Sequence, residues 1–288
     1  MSVTPATAGA PQTLVIEPSR GWGALRLQDI WEYRELLYFL VWRDVKVRYK
    51  QTVLGAAWAI LQPFLTMVVF TIFFGRLAKI DSQGVPYPVF SYAALLPWTF
   101  FAQGLTQASN SLVGSSHLIT KVYFPRMIVP LSAVLGGLVD LFLASVVYVP
   151  LMLFYGSTPG PAALAVPLFL LLALAATVGA GLWLAAVNVE YRDVRHAVPF
   201  LVQLWLFVTP VIYPTAFVTD TLVRWHLPPW LYGLNPMVGV VEGCRWALLG
   251  TGDFPGSVLA ASTACAAALL VSGAFYFRRV ERGFADVV

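Results

Sequence analysis

Long apolar stretches separated by short charged ones organise this chain. Six of them fall at about 53–75, 88–108, 127–155, 162–187, 197–213 and 255–277. A bilayer core about 30 Å thick takes about 20 helical residues to cross. The pattern therefore predicts an all-α polytopic membrane protein with six transmembrane helices.

Before the first stretch, residues 1–28 are rich in Ala, Thr, Pro and Gly and lack the apolar core of a signal peptide. They read as a flexible cytoplasmic tail. Residues 29–52 read as an amphipathic helix. Asp29 is placed to cap it, Ile30, Leu37, Val41 and Val45 share one stripe, and Glu32, Arg43, Lys46 and Lys50 lie roughly opposite. Arg34 and Arg48 fall on the apolar side, where long basic side chains can snorkel. Such a helix suits the cytoplasmic membrane surface.

Two of the stretches carry polar and aromatic seams. In the first, Gln51, Gly55, Trp58, Gln62 and Thr66 share a face, interrupted by Pro63. In the fifth, Pro199, Gln203, Phe207 and Pro210 do the same, and Pro214 is expected to end the helix. Lipid cannot satisfy polar groups, so these seams face protein or water. The second stretch holds Pro97, Trp98, Phe100, Phe101 and Gln103 near its middle, although aromatic residues with a polar handle favour membrane interfaces. Asp140, inside the third stretch, costs about 2.5–3.5 kcal/mol on insertion scales and needs a partner or water. A functional role and a structural bond to another helix are both open. Gly136 and Gly137 beside it permit close helix approach.

Residues 215–252 resist assignment as a seventh span. They contain Asn235-Pro236, Glu242, Arg245 and several glycines. An odd number of crossings would also put Arg278, Arg279 and Arg282 outside, against the positive-inside rule. The segment reads as an outer re-entrant helix pair broken at Asn235-Pro236, with Glu242 and Arg245 spaced to pair.

Charge supports this layout. Hydrophobic residues make up 59% of the 288 and charged ones 11%, with a mean hydropathy of +0.75, which excludes an ordinary soluble domain. The net charge of +4 comes from cations at helix ends rather than a nucleic-acid patch. Of the 18 Lys and Arg, only Arg76, Lys79, Arg224 and Arg245 fall on the outer side. Both termini are therefore expected in the cytoplasm. Glu190, Arg192, Asp193 and Arg195 crowd into one cytoplasmic loop and suit an ion-pair network. Cys244 and Cys265 suggest neither disulfide nor metal.

Catalytic chemistry is sparse. There is no G-x-x-x-x-G-K-[ST], H-E-x-x-H or G-x-S-x-G, and no chain of buried carboxylates and histidines such as a proton pump uses. His117 reads as a loop histidine.

Several segments together resemble the membrane subunits of ABC-2 type exporters of polysaccharides, the group handling O-antigen, capsule and teichoic acid. They are RDVKVRYKQTVLGAAWAILQP, KVYFPR, NVEYRDV followed by TPVIYP, and LNPM. The resemblance covers about residues 31–284. It implies a homodimeric pore with two separate ATP-binding cassette ATPase subunits below, which hold ATP and Mg; no cofactor belongs to this chain. It implies that 29–52 is an interface helix, that 109–126 is a coupling loop onto the ATPase, and that residues 53–288 form the six-span domain. The channel-lining candidates are then Trp58, Gln62, Thr66, Gln203, Phe207 and Tyr213. The ATPase-coupling candidates are Arg43, Lys46, Asn110, His117, Lys121 and Arg126.

The expected substrate is a polysaccharide, lipid-linked, exported across the inner membrane among membrane lipids, with no nucleic acid involved. Aromatic faces suit a sliding glycan, because stacking is tolerant and many weak contacts avoid stalling. Export of a drug or small lipid stays open as an alternative. A membrane-embedded glycan-modifying enzyme has only Asp140 to rest on.

Overall fold

The computed structural model describes residues 27–50, 55, 57–121, 124–191, 193–250, 252 and 254–284. The tail at 1–26, the junction around Gln51 and Arg192 of the third cytoplasmic loop lie outside them. No strand occurs among the described residues.

The chain opens with α1 (Leu27–Glu32) and α2 (Arg34–Lys50), joined by a loosened turn at Tyr33. Asp29 lies in the first turn of α1 rather than at its cap, where a carboxylate still favours the helix dipole. The stripe from Ile30 to Val45 does not lie on lipid. Ile30 and Leu37 pack into the core beside the buried Leu40. A second apolar face, with Trp31, Tyr38, Phe39 and Trp42, is the one left exposed. Gly55 then takes a left-handed conformation (φ +47°) that a side chain would strain, and so turns the chain into the next helix.

Next come α3 (Ala57–Phe70), a π-helical continuation (Thr71–Leu77), and α4 (Tyr87–Gly114). The short α5 (Ser116–Lys121), α6 (Ile128–Phe154), a 3-10 turn (Pro161–Ala165) and α7 (Val166–Glu190) follow. The remaining elements are α8 (Val194–Val208), α9 (Ala216–Arg224), a 3-10 turn (Pro229–Leu234), α10 (Pro236–Leu249) and α11 (Gly256–Val280). Four helical stretches are long and apolar enough to cross a membrane: Ala57–Leu77, Ile128–Phe154, Pro161–Glu190 and Gly256–Val280.

The less hydrophobic α4 is the axis of the bundle. Every residue from Tyr87 to Trp98 is buried, and α3, α6, α7, α8 and α10 pack around it. Its mid-helix aromatics are therefore core rather than interface residues. Phe101 meets Trp205 of α8 edge-on at 5.1 Å, and Trp98 lies 5.7 Å from Phe101. A helix enclosed by protein does not need a uniformly greasy surface, and this explains its hydropathy.

Two helix boundaries and one side-chain pairing differ from expectation. The helix of the second stretch continues to Gly114, so Asn110 of the expected coupling loop lies inside α4. The fifth helix ends at Val208 with Thr209 extended, so Pro210 stops it, not Pro214. Glu242 and Arg245 turn to different partners rather than pairing with each other. The break at Asn235-Pro236 is present, with Asn235 accepting from the Met237 amide at 3.1 Å as an N-cap.

The tightest helix contact is α7 against α11. A Cβ on Gly273 would stand 2.3 Å from the Gly179 carbonyl oxygen, and one on Gly179 2.5 Å from the Leu270 nitrogen. The pair is flanked by Trp183 stacked on Tyr276 at 3.9 Å. Close backbone approach maximises dispersion where lipid offers no hydrophobic drive. Gly136 and Gly137 are less demanding, with ordinary contacts of 3.5–3.9 Å. Gly273→Ala should therefore force the two helices apart and cost about 1–3 kcal/mol, seen as a lower melting temperature in detergent. Gly283→Ala, with nothing within 4 Å of the new methyl group, should leave it unchanged.

Candidate functional site

The lower half of α4 carries a half-buried polar stripe: Thr99, Gln103, Thr106, Gln107 and Asn110. Spacings of three, four and seven put most of it on one face. Gln107 turns to Arg48 of α2 and Asn110 to Asn188 of α7, which leaves Thr99, Gln103 and Thr106 between the two helices α3 and α8 that also pack on α4. On one side stands α3, whose Gln62 accepts a hydrogen bond from Gln103 at 3.2 Å. On the other stands α8, held through the Phe101–Trp205 contact. Thr99 and Thr106 return their hydroxyls to carbonyls one turn back, at 2.7 and 2.8 Å. The stripe is polar yet largely self-satisfied, and it bears no charge.

Among the residues expected to line a channel, Trp58 (55% exposed), Gln62, Gln203 and Phe207 (58%) stand on the open surfaces of α3 and α8. The exposed ridge of α3 runs from Trp58 and Gln62 to Leu65, Val69 and Phe73, so Thr66 is off it and bonds the Gln62 carbonyl at 2.9 Å. Tyr213 lies beyond α8. Its hydroxyl donates to the Phe207 carbonyl at 2.8 Å and meets the Tyr232 hydroxyl at 3.2 Å. Pro210 is buried, whereas Pro199 is exposed with Gln203 and Phe207. Gln107 was not singled out by sequence reasoning. Its spacing of four from Gln103 was the available signal.

The partner of Asp140 is Arg48. One guanidinium nitrogen donates to Asp140, a second to Gln107 of α4, and the Tyr49 hydroxyl donates to the other Asp140 oxygen. Arg48 therefore does not snorkel. An ion pair whose remaining groups are hydrogen-bonded is the condition under which charges persist away from water.

A second arginine governs the far end of α8. Arg245 is 1% exposed. It donates to the carbonyls of Val211 (2.6 Å), Tyr213 (3.1 Å) and Phe90 (3.3 Å), and lies 3.7 Å from the centre of the Phe90 ring. Tyr87 caps the Ile212 carbonyl at 2.7 Å, Tyr232 the Val208 carbonyl at 3.0 Å, and Asn235 donates to the Thr209 hydroxyl at 3.0 Å. Thr215 donates to Glu242 at 2.6 Å. The turn after α8 is thus held by side chains from α4 and from the segment that ends in α10.

At the other end of the bundle, the coupling candidates divide. Lys46 lies exposed, 4.1 Å from the centre of the Trp42 ring, and Lys121 ends α5 in the open. Arg43 is engaged by Asp44 at 2.8 Å. His117 lines a cleft of about 520 Å³ together with Arg43, Asp44, Val47, Arg48, Gly114, Ser115 and Leu118. Asn110 faces inward and accepts from Asn188 at 3.2 Å. Arg126 is tied to the Glu281 carbonyl at 2.6 Å. Arg278 approaches Asp29 at 3.9 Å, so α1, the loop before α6 and the end of α11 share one end of the bundle. Glu190, Asp193 and Arg195 form no ion pair among the described residues. The Glu190 charge instead raises the phenol pKa of its exposed neighbour Tyr191, aided by a hydrogen bond between them.

Comparison with known proteins bears on this arrangement. A model of the family described as ABC-2 type transporter matches residues 35–249. The chain belongs to the ABC-2 type transporter family. Its match runs from α2 to the end of α10 and so includes the polar stripe of α4 and both arginine clusters. Among similar proteins is the O-antigen export system permease protein RfbA of Myxococcus xanthus, 33% identical over 216 residues, which cover 75% of this chain and 80% of that protein. The protein of the same name from Klebsiella pneumoniae is 25% identical over 255 residues, covering 88% and 95%. The polysialic acid transport protein KpsM of Escherichia coli is 24% identical over 214 residues, covering 72% and 78%. This ABC-2 chain is multi-pass, and no group of three or more His, Cys, Asp or Glu suited to a metal occurs among its described residues.

Removing the Arg245 guanidinium would leave buried carbonyls unpartnered, at about 1–3 kcal/mol each. Arg245→Met should lower the melting temperature of the purified protein and open residues 209–214 to protease. Arg245→Lys should do the same more mildly, since one ammonium cannot replace the planar fork.

Proposed function

We propose that this chain is the transmembrane subunit of an ATP-driven exporter that carries a lipid-linked polysaccharide across the inner membrane. The observation that carries the reading is the uncharged polar stripe on α4, bonded to Gln62 of α3 and flanked by the exposed faces of α3 and α8 that bear Trp58 and Phe207; in this reading the stripe is the floor of a trough and α3 and α8 are its walls. A polar floor at membrane depth requires protein or water over it. A second copy facing the first closes two such troughs into one wet conduit, so the working unit is a homodimer. The relatives named for O-antigen and polysialic acid support a glycan cargo.

In this reading the crossings are α3 with its π-helical end, α4, α6, α7, α8 and α11. At 28 residues, α4 is about 42 Å long, enough to cross despite its modest hydropathy. At 15 residues, α8 reaches about 22 Å and is completed by the turn at 209–214. The segment from α9 to α10 is the outer re-entrant pair. The shared location of α1 and the end of α11 supports placing both termini on one side, the cytoplasm. There α5 carries His117 and Lys121 toward a separate ATPase subunit that holds ATP and Mg, with Arg43 and Lys46 of α2 beside it.

Catalysis of transport then needs no deep binding site. Trp58 and Phe207 offer apolar faces to sugar rings, while Gln62, Gln103 and Gln203 offer exchangeable hydrogen bonds. Each contact is weak, so the polymer slides.

Deleting the gene in its host should remove surface glycan, as read on an immunoblot, and the wild-type gene should restore it. Drug sensitivity with intact surface glycan would overturn the reading. Trp58→Ala and Phe207→Ala should each lower surface glycan severalfold at unchanged protein level, since these side chains are exposed and bear little on stability.

A further inference from the structure

Asp140 sits halfway along α6, and Arg48 alone would neutralise it. The cluster contains more than neutralisation requires. The second nitrogen of Arg48 reaches Gln107, which brings α4 into a cluster already joining α2 and α6. Its position along the chain is also particular. Two residues after Arg48, α2 ends, and the chain turns at Gly55 into α3, one wall of the trough. Seven residues after Gln107, α4 ends at Gly114 and turns into α5.

The cleft of about 520 Å³ lies between these two routes. One wall is Arg43, Asp44, Val47 and Arg48 of α2; the other is Gly114, Ser115, His117 and Leu118 of the α4–α5 turn. The helix α2 and the α4–α5 turn line opposite sides of this cleft. A displacement of α5 passes first to α4, on which α5 packs. Since α4 is a continuous helix from Tyr87 to Gly114, a tilt imposed at its end is carried two turns up to Gln107. There the guanidinium of Arg48 provides a polar bridge to α2. Arginine suits this because its planar fork fixes two acceptors in one orientation.

We propose that Arg48, through its bond to Gln107, is a positioning residue that transmits movement of α5 to α2 and so to the channel wall α3. This rests on the reading of α5 as the ATPase contact. Asp140 and Tyr49 hold the arginine in place, and the ion pair carries the stability while the Gln107 arm carries the coupling.

The two roles separate experimentally in the full complex of this chain with its ATPase, expressed in the native host. Gln107→Ala removes the arm and leaves the ion pair. Gln107→Met does the same while keeping the volume. Both should assemble with the ATPase and hydrolyse ATP at the wild-type rate. Surface glycan exported per ATP hydrolysed should fall about tenfold, the scale of one hydrogen bond to a charged group. Arg48→Lys, which keeps the charge opposite Asp140 but lacks the fork, should show the same uncoupling. Wild-type glycan per ATP in the two Gln107 variants overturns the proposal. Failure of both to assemble also overturns it, because Gln107 would then serve folding alone. A wild-type complex that exports glycan in the same assay keeps the exporter reading intact whichever way the variants fall.

Discussion

At membrane depth a charge or a main-chain carbonyl has no bulk water to turn to, and each one must find its partner in protein. This chain meets that demand chiefly through two arginines. Arg245 gathers two carbonyls of the turn after α8 that no helix satisfies, and a third from α4. Arg48 gathers the lone acid of α6 and a glutamine of α4. Both converge on α4, one near each end. The helix with the most neighbours is therefore also fixed at two heights, and the surrounding helices take their positions from it.

That arrangement leaves α3 and α8 lightly held along one side. Only Val198 and Val202 of α8 are buried, and only Pro63, Met67 and Phe70 of α3. The hydrogen bonds within the polar stripe of α4 are mostly to the helix's own carbonyls, so the surface is wettable without being sticky.

The opposite end of the bundle is bound by contacts between distant parts of the chain. Arg126 bonds the Glu281 carbonyl, Arg278 reaches Asp29 and Glu281, and Phe284 is buried against Phe277 at 5.5 Å. These ties bring together the loop before α6, the start of α1 and the end of α11. They leave α5 packed mainly on α4, with a cleft behind it.

Much of this was legible in the residue pattern. Four apolar stretches of membrane length and the Asn235-Pro236 break are local properties, and each appears where the residue pattern put it. The faces bearing Trp58, Gln62, Gln203 and Phe207 follow from helical spacing alone. What the pattern could not supply was the identity of neighbours. Arg48 on an apolar stripe reads as a snorkelling side chain until Asp140, ninety-two residues away, is placed against it. Glu242 and Arg245 read as a pair until the turn after α8 presents carbonyls that the arginine satisfies instead. The aromatic middle of α4 looks misplaced until five helices surround it. Periodicity tells which side of a helix is unlike the other, because it depends only on the rise and twist of one backbone. Whether that side meets lipid, water or another helix depends on contacts between segments distant in sequence, and only their packing decides it.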